Sequence, residues 1–168
     1  MRMTPEAKKE KVIAELIEAR RTVLNAAAAL STVEQDRVFL GTWSVRDLLA
    51  HLVGWDYTNI EAAQAILAGK LPSFYAYFGH DWQTYNARLV LQWKRDDWAE
   101  LLALVEESHR KLVECLKTIA AEDFGKDRGL RFKGFEVTIA TLMTAEARDE
   151  KKHCQQVEEF KRRGRSEL

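Results

Sequence analysis

The residues most suited to chemistry lie in two short stretches of the sequence. The first is TWSVRDLLAHLVGWDY, Thr42 to Tyr57, which holds His51, Trp55 and Asp56. The second is TAEARDEKKHCQQVEEF, residues 144–160, in which three of the carboxylates and an imidazole fall on or beside the apolar face. Such groups transfer protons near neutral pH or bind divalent metals, so both kinds of site are open at this point. The groups of the second stretch are Glu146, Asp149, Glu150 and His153.

Helical spacing places several of these polar groups on faces that should be buried. At about 100° per residue, Asp56 falls near the middle of an apolar face, while His51 and Trp55 fall toward its flank. His109 lies on the apolar face of a later helix. A buried carboxylate is costly unless it is paired, protonated or metal-bound, so the cluster predicts mutual pairing or a polar cavity. On the last helix the inward groups are Glu146, Glu150 and His153, with Asp149 at the edge of the face.

Two interpretations stay open for the inward-facing acids and imidazole. In the first, Asp56, His109 and Glu146 act as general acid and base in a pocket. In the second, His109 is a neutral core imidazole bonded to a carbonyl or carboxylate. Asp56 is then a structural ion-pair partner of an arginine, such as Arg20 or Arg88.

Ligand-like spacing occurs at two places. An E-x-x-H pattern at residues 106/109 and 150/153 has the i, i+3 spacing that di-metal carboxylate bundles use. Asp149 and His153, at i, i+4, form a second candidate, with His51 as a third ligand from another helix. The second arrangement predicts one site built from two helices.

Caps and apolar periodicity predict four long helices and one short helix. Thr4 before Pro5, and Ser44 three residues before Asp47, are typical of helix starts, and Gly164 indicates the end of the last helix. Residues 69–81 are predicted as an aromatic loop. Residues 122–136 alternate weakly at Leu130, Phe132 and Phe135 and could be a loop or one extended segment, of which the loop is preferred. These elements predict an all-α four-helix bundle, with an extra short helix and an aromatic loop, as one domain over residues 1–168. The predicted helices run from Pro5 to about Leu30, Ser44 to about Ala68, Trp82 to about Lys94, Asp97 to about Ala121 and Val137 to Arg163.

Composition narrows the classes of partner and location. The chain has 26 basic and 26 acidic residues and no net charge, which argues against nucleic acid and anionic lipid as partners. No apolar run reaches the length of about 18 to 20 residues that a membrane span needs. Cys115 and Cys154 are too few for a disulfide framework and are expected to be reduced. A cytoplasmic location is therefore the expectation.

The stretch TWSVRDLLAHLVGWD resembles the second-helix motif of the DinB-like superfamily, and in particular of its ClbS/DfsB family of four-helix bundles. The segment DWQTYNARLV, with Trp82 and Asn86, is similar to a tryptophan-to-asparagine segment of that family. The segment EESHRKLVECL, with Ser108 and His109, is similar to its Ser-His segment. The similarity extends from residue 5 to residue 160.

The resemblance implies a DinB-like bundle whose relatives often hold a divalent metal with three histidines. Carried over to this chain, the ligands fall on His51, Asp149 and His153, so an aspartate replaces the middle histidine. Aspartate binds zinc or nickel, and such a triad is chemically reasonable. In the ClbS/DfsB family the best-known activity is protective hydrolysis of a reactive cyclopropane, and a homodimer is a family-level expectation.

Three functions follow from these observations. The first is a hydrolase-like or protective enzyme that acts on a small molecule in a pocket between the second, fourth and fifth predicted helices. The second is a non-catalytic protein that sequesters such a molecule. The third is a structural dimer with a satisfied buried polar network. The aromatic loop is expected to cover the pocket, which Trp55, Trp82, Asn86 and Glu150 are expected to line.

Overall fold

A computed structural model describes residues 3–78 and 81–166. Its four long helices match the four long helices that the sequence predicts, and the predicted short helix is also present. The last residues of the predicted aromatic loop, Gly79 and His80, lie outside the described residues. The elements in chain order are α1 (Pro5–Ala28), α2 (Thr32–Asp36), β1 (Val38–Leu40), β2 (Trp43–Ser44), α3 (Val45–Leu67), a 3₁₀ turn (Ser73–Ala76), α4 (Trp82–Trp93), α5 (Trp98–Thr118), α6 (Ala121–Phe124), β3 (Arg131–Phe132), β4 (Phe135–Glu136) and α7 (Ile139–Ser166).

Local capping explains where the long helices begin. The Thr4 hydroxyl accepts a hydrogen bond from the Ala7 amide at 3.2 Å, with Pro5 at the first helical position. Ser44 and Asp47 form a reciprocal capping box at the start of α3. These contacts satisfy backbone amides that have no partner within the first turn of a helix. The predicted helix starts are therefore confirmed.

Two apolar clusters, one at each end of the bundle, show the directions of the four long helices. The first cluster contains the beginnings of α1 and α7 and the ends of α3 and α5. The second contains the ends of α1 and α7 and the beginnings of α3 and α5. Therefore α1 runs parallel to α7, α3 runs parallel to α5, and the two pairs are antiparallel to each other. The long connection through α4 is what allows α3 and α5 to run in the same direction.

The end of the last helix and two connections differ from the sequence prediction. The last helix does not end at Gly164 but continues to Ser166, because a glycine inside a helix costs only about 1 kcal/mol relative to alanine. Residues 122–136, predicted as loop, include most of α6 and the antiparallel hairpin of β3 and β4. The connection at residues 31–42 contains α2 and β1, and β1 pairs with β2. By contrast, Gly69 follows the end of α3 as expected, with φ of +72°.

Two expectations from composition concern membrane spans and the cysteines. No described helix is long and apolar enough to cross a membrane. Cys115 and Cys154 are both free thiols; Cys154 is buried and Cys115 is half-buried. The expectation of reduced cysteines therefore agrees with the structure.

Helices α3 and α4 approach closely at Gly54. A Cβ atom added at Gly54 would lie 2.7 Å from the Leu89 Cβ atom, which is shorter than a van der Waals contact allows. Leu89 is a buried residue of α4. The missing side chain of Gly54 therefore lets α4 pack directly on the helix that carries His51, Trp55 and Asp56.

Two helical glycines should respond in opposite ways to alanine. Gly54→Ala should destabilise the protein by about 1–3 kcal/mol, because α4 must move away from α3. Gly164→Ala should stabilise it by up to about 1 kcal/mol, since its added Cβ would meet only ordinary contacts at 3.7 Å or more. Urea unfolding of both variants measures the difference. Equal effects of the two substitutions would contradict the close approach of α3 and α4.

Candidate functional site

A layer of polar side chains separates the two apolar clusters in the middle of the bundle. We call Arg20, Asp56, Ser108 and Glu150 the polar layer; each comes from a different long helix. Arg20 is 2% exposed, Asp56 0% and Glu150 1%. Two guanidinium nitrogens of Arg20 donate to the two carboxylate oxygens of Asp56, at 2.8 and 2.9 Å. This bidentate arrangement is the strongest form of a charged hydrogen bond between side chains.

The remaining members complete the layer. Arg20 Nε donates to Glu150 Oε1, and an Arg20 terminal nitrogen also donates to the Val105 carbonyl at 3.2 Å. The Ser108 hydroxyl donates to Asp56 Oδ2 at 2.6 Å. Residues from α1, α3, α5 and α7 are thus joined by hydrogen bonds at one level of the bundle. The structural interpretation of Asp56, as an ion-pair partner of Arg20, describes its contacts correctly.

The charges within the layer shift its pKa values in opposite directions. Burial would raise the pKa of Asp56, but the charge and hydrogen bonds of Arg20 outweigh burial and hold it below its ordinary value. Burial would likewise lower the pKa of Arg20, and Asp56 and Glu150 together raise it instead. One guanidinium is therefore shared by two carboxylates.

Glu146 is one helical turn from Glu150 on α7 and forms no ion pair with a cation among the described residues, although the Arg20 charge acts to lower its pKa. Burial, and then the negative charge of Glu150, raises the pKa of Glu146 to about 8. The neighbouring Asn59 amide acts in the opposite direction, although no atom of that buried amide has a hydrogen-bond partner among the described residues. Glu146 is therefore mostly protonated at neutral pH.

A cavity of about 770 Å³ opens beside the polar layer. Aromatic side chains from the β1–β2 hairpin, α3, the 3₁₀ turn and its loop, α4 and the β3–β4 hairpin form most of its wall, and α7 supplies most of the polar groups. Such a volume is typical of small-molecule sites. The aromatic residues of the wall are Trp43, Trp55, Phe74, Tyr75, Phe78, Trp82, Phe132 and Phe135.

Seven of the ten predicted site residues line this cavity. The aromatic loop also contributes to the wall, as expected. The seven are His51, Trp55, Trp82, Asn86, Glu146, Asp149 and His153.

Asp56, His109 and Glu150 do not line the cavity, and the prediction of Glu150 as a pocket residue is therefore corrected. The single guanidinium of Arg20 holds Glu150 and Asp56 in the interior. His109 is buried beside them, with its Nδ1 atom 3.9 Å from Asp56 Oδ1, which is too long for a hydrogen bond. Both ring nitrogens of His109 lack a partner among the described residues. The side chains of Asp56 and His109, for which catalytic roles were predicted, therefore do not contact the cavity directly.

Several wall residues were not predicted from the sequence. Phe132, Lys133, Phe135 and Glu136 come from the β3–β4 hairpin, which was predicted as loop. The weak alternation at Leu130, Phe132 and Phe135, which also allowed an extended segment, was the signal for strands at this place. Trp43 reaches the wall from β2, and its ring centroid lies 4.8 Å from that of His51.

The three residues of the predicted metal triad share one side of the cavity. The ring centroids of His51 and His153 are 5.7 Å apart, and His153 Nδ1 contacts Gln156 Oε1 at 2.8 Å. Among the residues that the structure describes, however, no three His, Cys, Asp or Glu side chains converge closely enough to hold a metal ion. As placed, His51, Asp149 and His153 do not fit a metal, and the zinc or nickel site stays a prediction.

His51 itself is a buried, neutral imidazole. Burial, and then the proximity of His153, lowers the pKa of His51 to about 3. Its Nδ1 atom has no partner within the described residues. At neutral pH His51 therefore adds no charge to the cavity wall, and it is a weak base.

The fold and the cavity place the chain in a class of helical bundles that enclose a small-molecule-sized pocket. Residues 15–157 match the DinB superfamily. The chain therefore belongs to the DinB superfamily, which confirms the resemblance found in the sequence. Among curated proteins, none matches the chain.

Three solved structures share its fold. The sibling lethal factor precursor DfsB has a TM-score of 0.76 at 16% identity, over 94% of this chain and 96% of that one. The colibactin self-resistance protein ClbS, in complex with double-stranded DNA, has a TM-score of 0.69 at 19% identity, over 91% of this chain and 94% of that one. YfiT from Bacillus subtilis has a TM-score of 0.71 at 20% identity, over 96% of this chain and 90% of that one. It is described as a probable metal-dependent hydrolase with an unusual four-helix bundle topology. At these identities the likeness shows the fold.

The DNA in the ClbS complex bears on one expectation from composition. The balanced charge of this chain argues against nucleic acid as a partner, whereas a protein of the same fold was crystallised with DNA. The absence of a nucleic-acid partner therefore stays a prediction, as does the homodimer.

Removing the cation of the polar layer should be strongly destabilising. Arg20→Met leaves the buried Asp56 and Glu150 carboxylates without a counter-charge, and we expect a loss of about 3–5 kcal/mol at neutral pH. The loss should shrink in acid, where the stranded carboxylates take up protons. The matched control is Arg21→Met, which breaks only the exposed pair with Glu18 and should change stability by less than about 0.5 kcal/mol. Urea unfolding at two pH values tests both, and similar losses in the two variants would contradict the role of the layer.

Glu146 should make the folded protein less stable as the pH rises. Its pKa rises from 4.5 to about 8 on folding, so the folded state keeps a proton that the unfolded chain releases. Stability should fall across this window, by at most about 1.4 kcal/mol per pH unit. His51, whose pKa falls from 6.5 to about 3, has the opposite effect, but only below about pH 6.5.

The unfolding free energies of wild type and variant should therefore be compared between pH 6.5 and about 8. These limits are the unfolded-state pKa of His51 and the folded-state pKa of Glu146. Glu146→Gln should flatten the decline in unfolding free energy, and Glu158→Gln, an exposed change on the same helix, should leave it in place. A decline of the same size in the Glu146 variant would show that its carboxyl group is already ionised in the folded state.

Proposed function

We propose that the protein is a small-molecule-modifying enzyme, hydrolase-like or protective, that binds an uncharged ligand in the aromatic cavity and uses Glu146 for proton transfer. The observation that carries the proposal is the carboxyl group of Glu146 on the wall of a largely aromatic cavity, where burial and the neighbouring Glu150 charge keep it protonated. An acid that holds its proton near neutral pH is suited to general acid catalysis.

The charges around the cavity favour an uncharged ligand. Lys133 and Lys152 line the wall together with Glu136 and Asp149, so two cations face two carboxylates. Glu146 adds no charge while it is protonated. A charged ligand would have to give up its hydration without an unopposed counter-charge to replace it, which is unfavourable.

A hydrolytic reaction at this site balances with Glu146 and one water molecule. The Glu146 carboxyl group gives its proton to the leaving atom of the ligand as the bond to that atom breaks. The resulting carboxylate then accepts a proton from water as the water oxygen bonds to the ligand carbon. Glu146 is thereby returned to its protonated state, and the ligand has gained the elements of one water.

The names of the structural relatives are compatible with this class of function. YfiT is described as a probable hydrolase and ClbS as a self-resistance protein. The main alternative is a binding protein that sequesters its ligand in the same cavity, since aromatic walls suffice for binding. The two differ in whether Glu146 changes the ligand or only contacts it.

Uncharged aryl electrophiles of three kinds provide the test: aryl esters, aryl epoxides and aryl-activated cyclopropanes. Binding is followed by the fluorescence of the cavity tryptophans. Reaction is followed by mass spectrometry, as the gain of one water for the epoxides and cyclopropanes and as the separate acid and hydroxyl products for the esters. Glu146→Gln should retain binding within about twofold and lose turnover by about 10²–10⁴-fold. Wild-type turnover should also fall as the pH rises through about 8, where Glu146 loses its proton.

Glu158→Gln serves again as the control and should keep full turnover. Equal turnover by wild type and Glu146→Gln would remove Glu146 from the reaction. Tight binding without turnover of any probe would instead favour the sequestering protein.

A further inference from the structure

Asn86 has a fixed orientation at the wall of the cavity. The Trp55 indole nitrogen donates to Asn86 Oδ1 at 3.1 Å. Because an indole N–H is only a donor, the amide of Asn86 must present its oxygen to Trp55. The amide nitrogen of Asn86 then has no hydrogen-bond partner among the described residues and remains a donor at the wall of the cavity, which Asn86 lines.

The indole that orients Asn86 is itself held firmly. Trp55 is 6% exposed, and its ring is surrounded by those of Phe74, Trp82 and Tyr85, at centroid distances of 5.3, 5.0 and 5.7 Å. A side chain packed on several sides keeps one rotamer. Asn86 is therefore a preorganised donor, which lowers the entropic cost of a hydrogen bond to a ligand.

We propose that the cavity selects flat, uncharged molecules that carry a carbonyl or amide oxygen, and that the Asn86 amide nitrogen donates to this oxygen. The proposal rests on the proposed role of the cavity as a ligand site, but it does not depend on catalysis. Asn86 is then a specificity-determining residue.

Two further features agree with this ligand class. Eight aromatic side chains form the wall, and aromatic rings favour flat partners through stacked and edge-to-face contacts. Glu146, when protonated, offers a second donor and no charge, so a ligand acceptor is favoured over an ammonium group. A ligand without an acceptor would leave the Asn86 donor desolvated and unpaired.

Three probes of similar size separate the contributions. These are 2-naphthamide, which has a carbonyl acceptor, 2-ethylnaphthalene, which has none, and 2-naphthylmethylamine, which is a cation. Binding to the full chain is measured by tryptophan fluorescence. Wild type should bind 2-naphthamide about tenfold more tightly than 2-ethylnaphthalene, the effect of one hydrogen bond.

Asn86→Asp is the informative variant because it keeps an oxygen for Trp55 and replaces the donor with an acceptor. It should weaken the binding of 2-naphthamide about tenfold or more and change the affinity for 2-ethylnaphthalene by less than about threefold. The binding of the amine should become tighter. Gln83→Glu, the same chemical change at an exposed position of α4, should leave all three affinities unchanged. A Trp55 indole N–H resonance that shows a hydrogen-bonded proton protected from exchange with solvent, as in wild type, shows that the variant keeps its local structure.

Equal affinity of wild type for 2-naphthamide and 2-ethylnaphthalene would overturn the inference, as would equal weakening of both in Asn86→Asp. If no aromatic probe binds wild type, the proposed ligand site and this inference fail together. If the probes bind with the expected selectivity while no compound is turned over, the inference stands and the catalytic proposal fails.

Discussion

The structure depends on one buried guanidinium. Arg20 binds Asp56 through two hydrogen bonds and Glu150 through two more, with all three groups almost completely buried. Removing such charges from water costs several kcal/mol per ion, so each is tolerated only because its partners meet it with good geometry. The same requirement sets the register of the four long helices, since Arg20 reaches both carboxylates only when α1, α3 and α7 are correctly aligned.

The polar layer also determines the electrostatics of the cavity. Arg20 satisfies Asp56 and Glu150 and has little left to offer Glu146, which lies one turn away and faces the aromatic wall. Burial, and then the uncompensated negative charge of Glu150, therefore raises the pKa of Glu146, which reaches the cavity. In this way a structural network in the core and a candidate reactive group at its edge are parts of the same arrangement.

The comparison with DfsB, ClbS and YfiT shows how far this fold tolerates change. The overall arrangement is kept at identities of 16–20%. A bundle needs apolar positions at helical spacing, which many sequences supply, whereas a metal triad needs particular ligands at particular positions. The sequence resemblance assigns Asp149 to one of those positions in this chain, and the described side chains do not converge on a metal. Family membership therefore describes the fold of this chain more closely than its chemistry.

Local sequence predicted the helices well, because capping and periodicity act over a few residues. Thr4, Ser44 and Asp47 cap helices as expected, and seven of the ten predicted site residues line one cavity. The helix end predicted at Gly164 was wrong, since a glycine permits a helix end without requiring one. The β3–β4 hairpin was missed because its strands contain only two residues each, too few to show a clear alternation.

The sequence by itself determined which polar residues face inward: periodicity put Asp56, Glu146 and Glu150 on buried faces before any contact was known. Only the tertiary structure decided their separate roles. Whether an inward carboxylate meets Arg20 or the cavity depends on how far each helix is rotated and shifted against its neighbours. Those quantities come from packing between distant parts of the chain, and no local pattern encodes them. For that reason Asp56 and Glu150 became partners of one arginine, while Glu146, on the same helix as Glu150, reached the cavity.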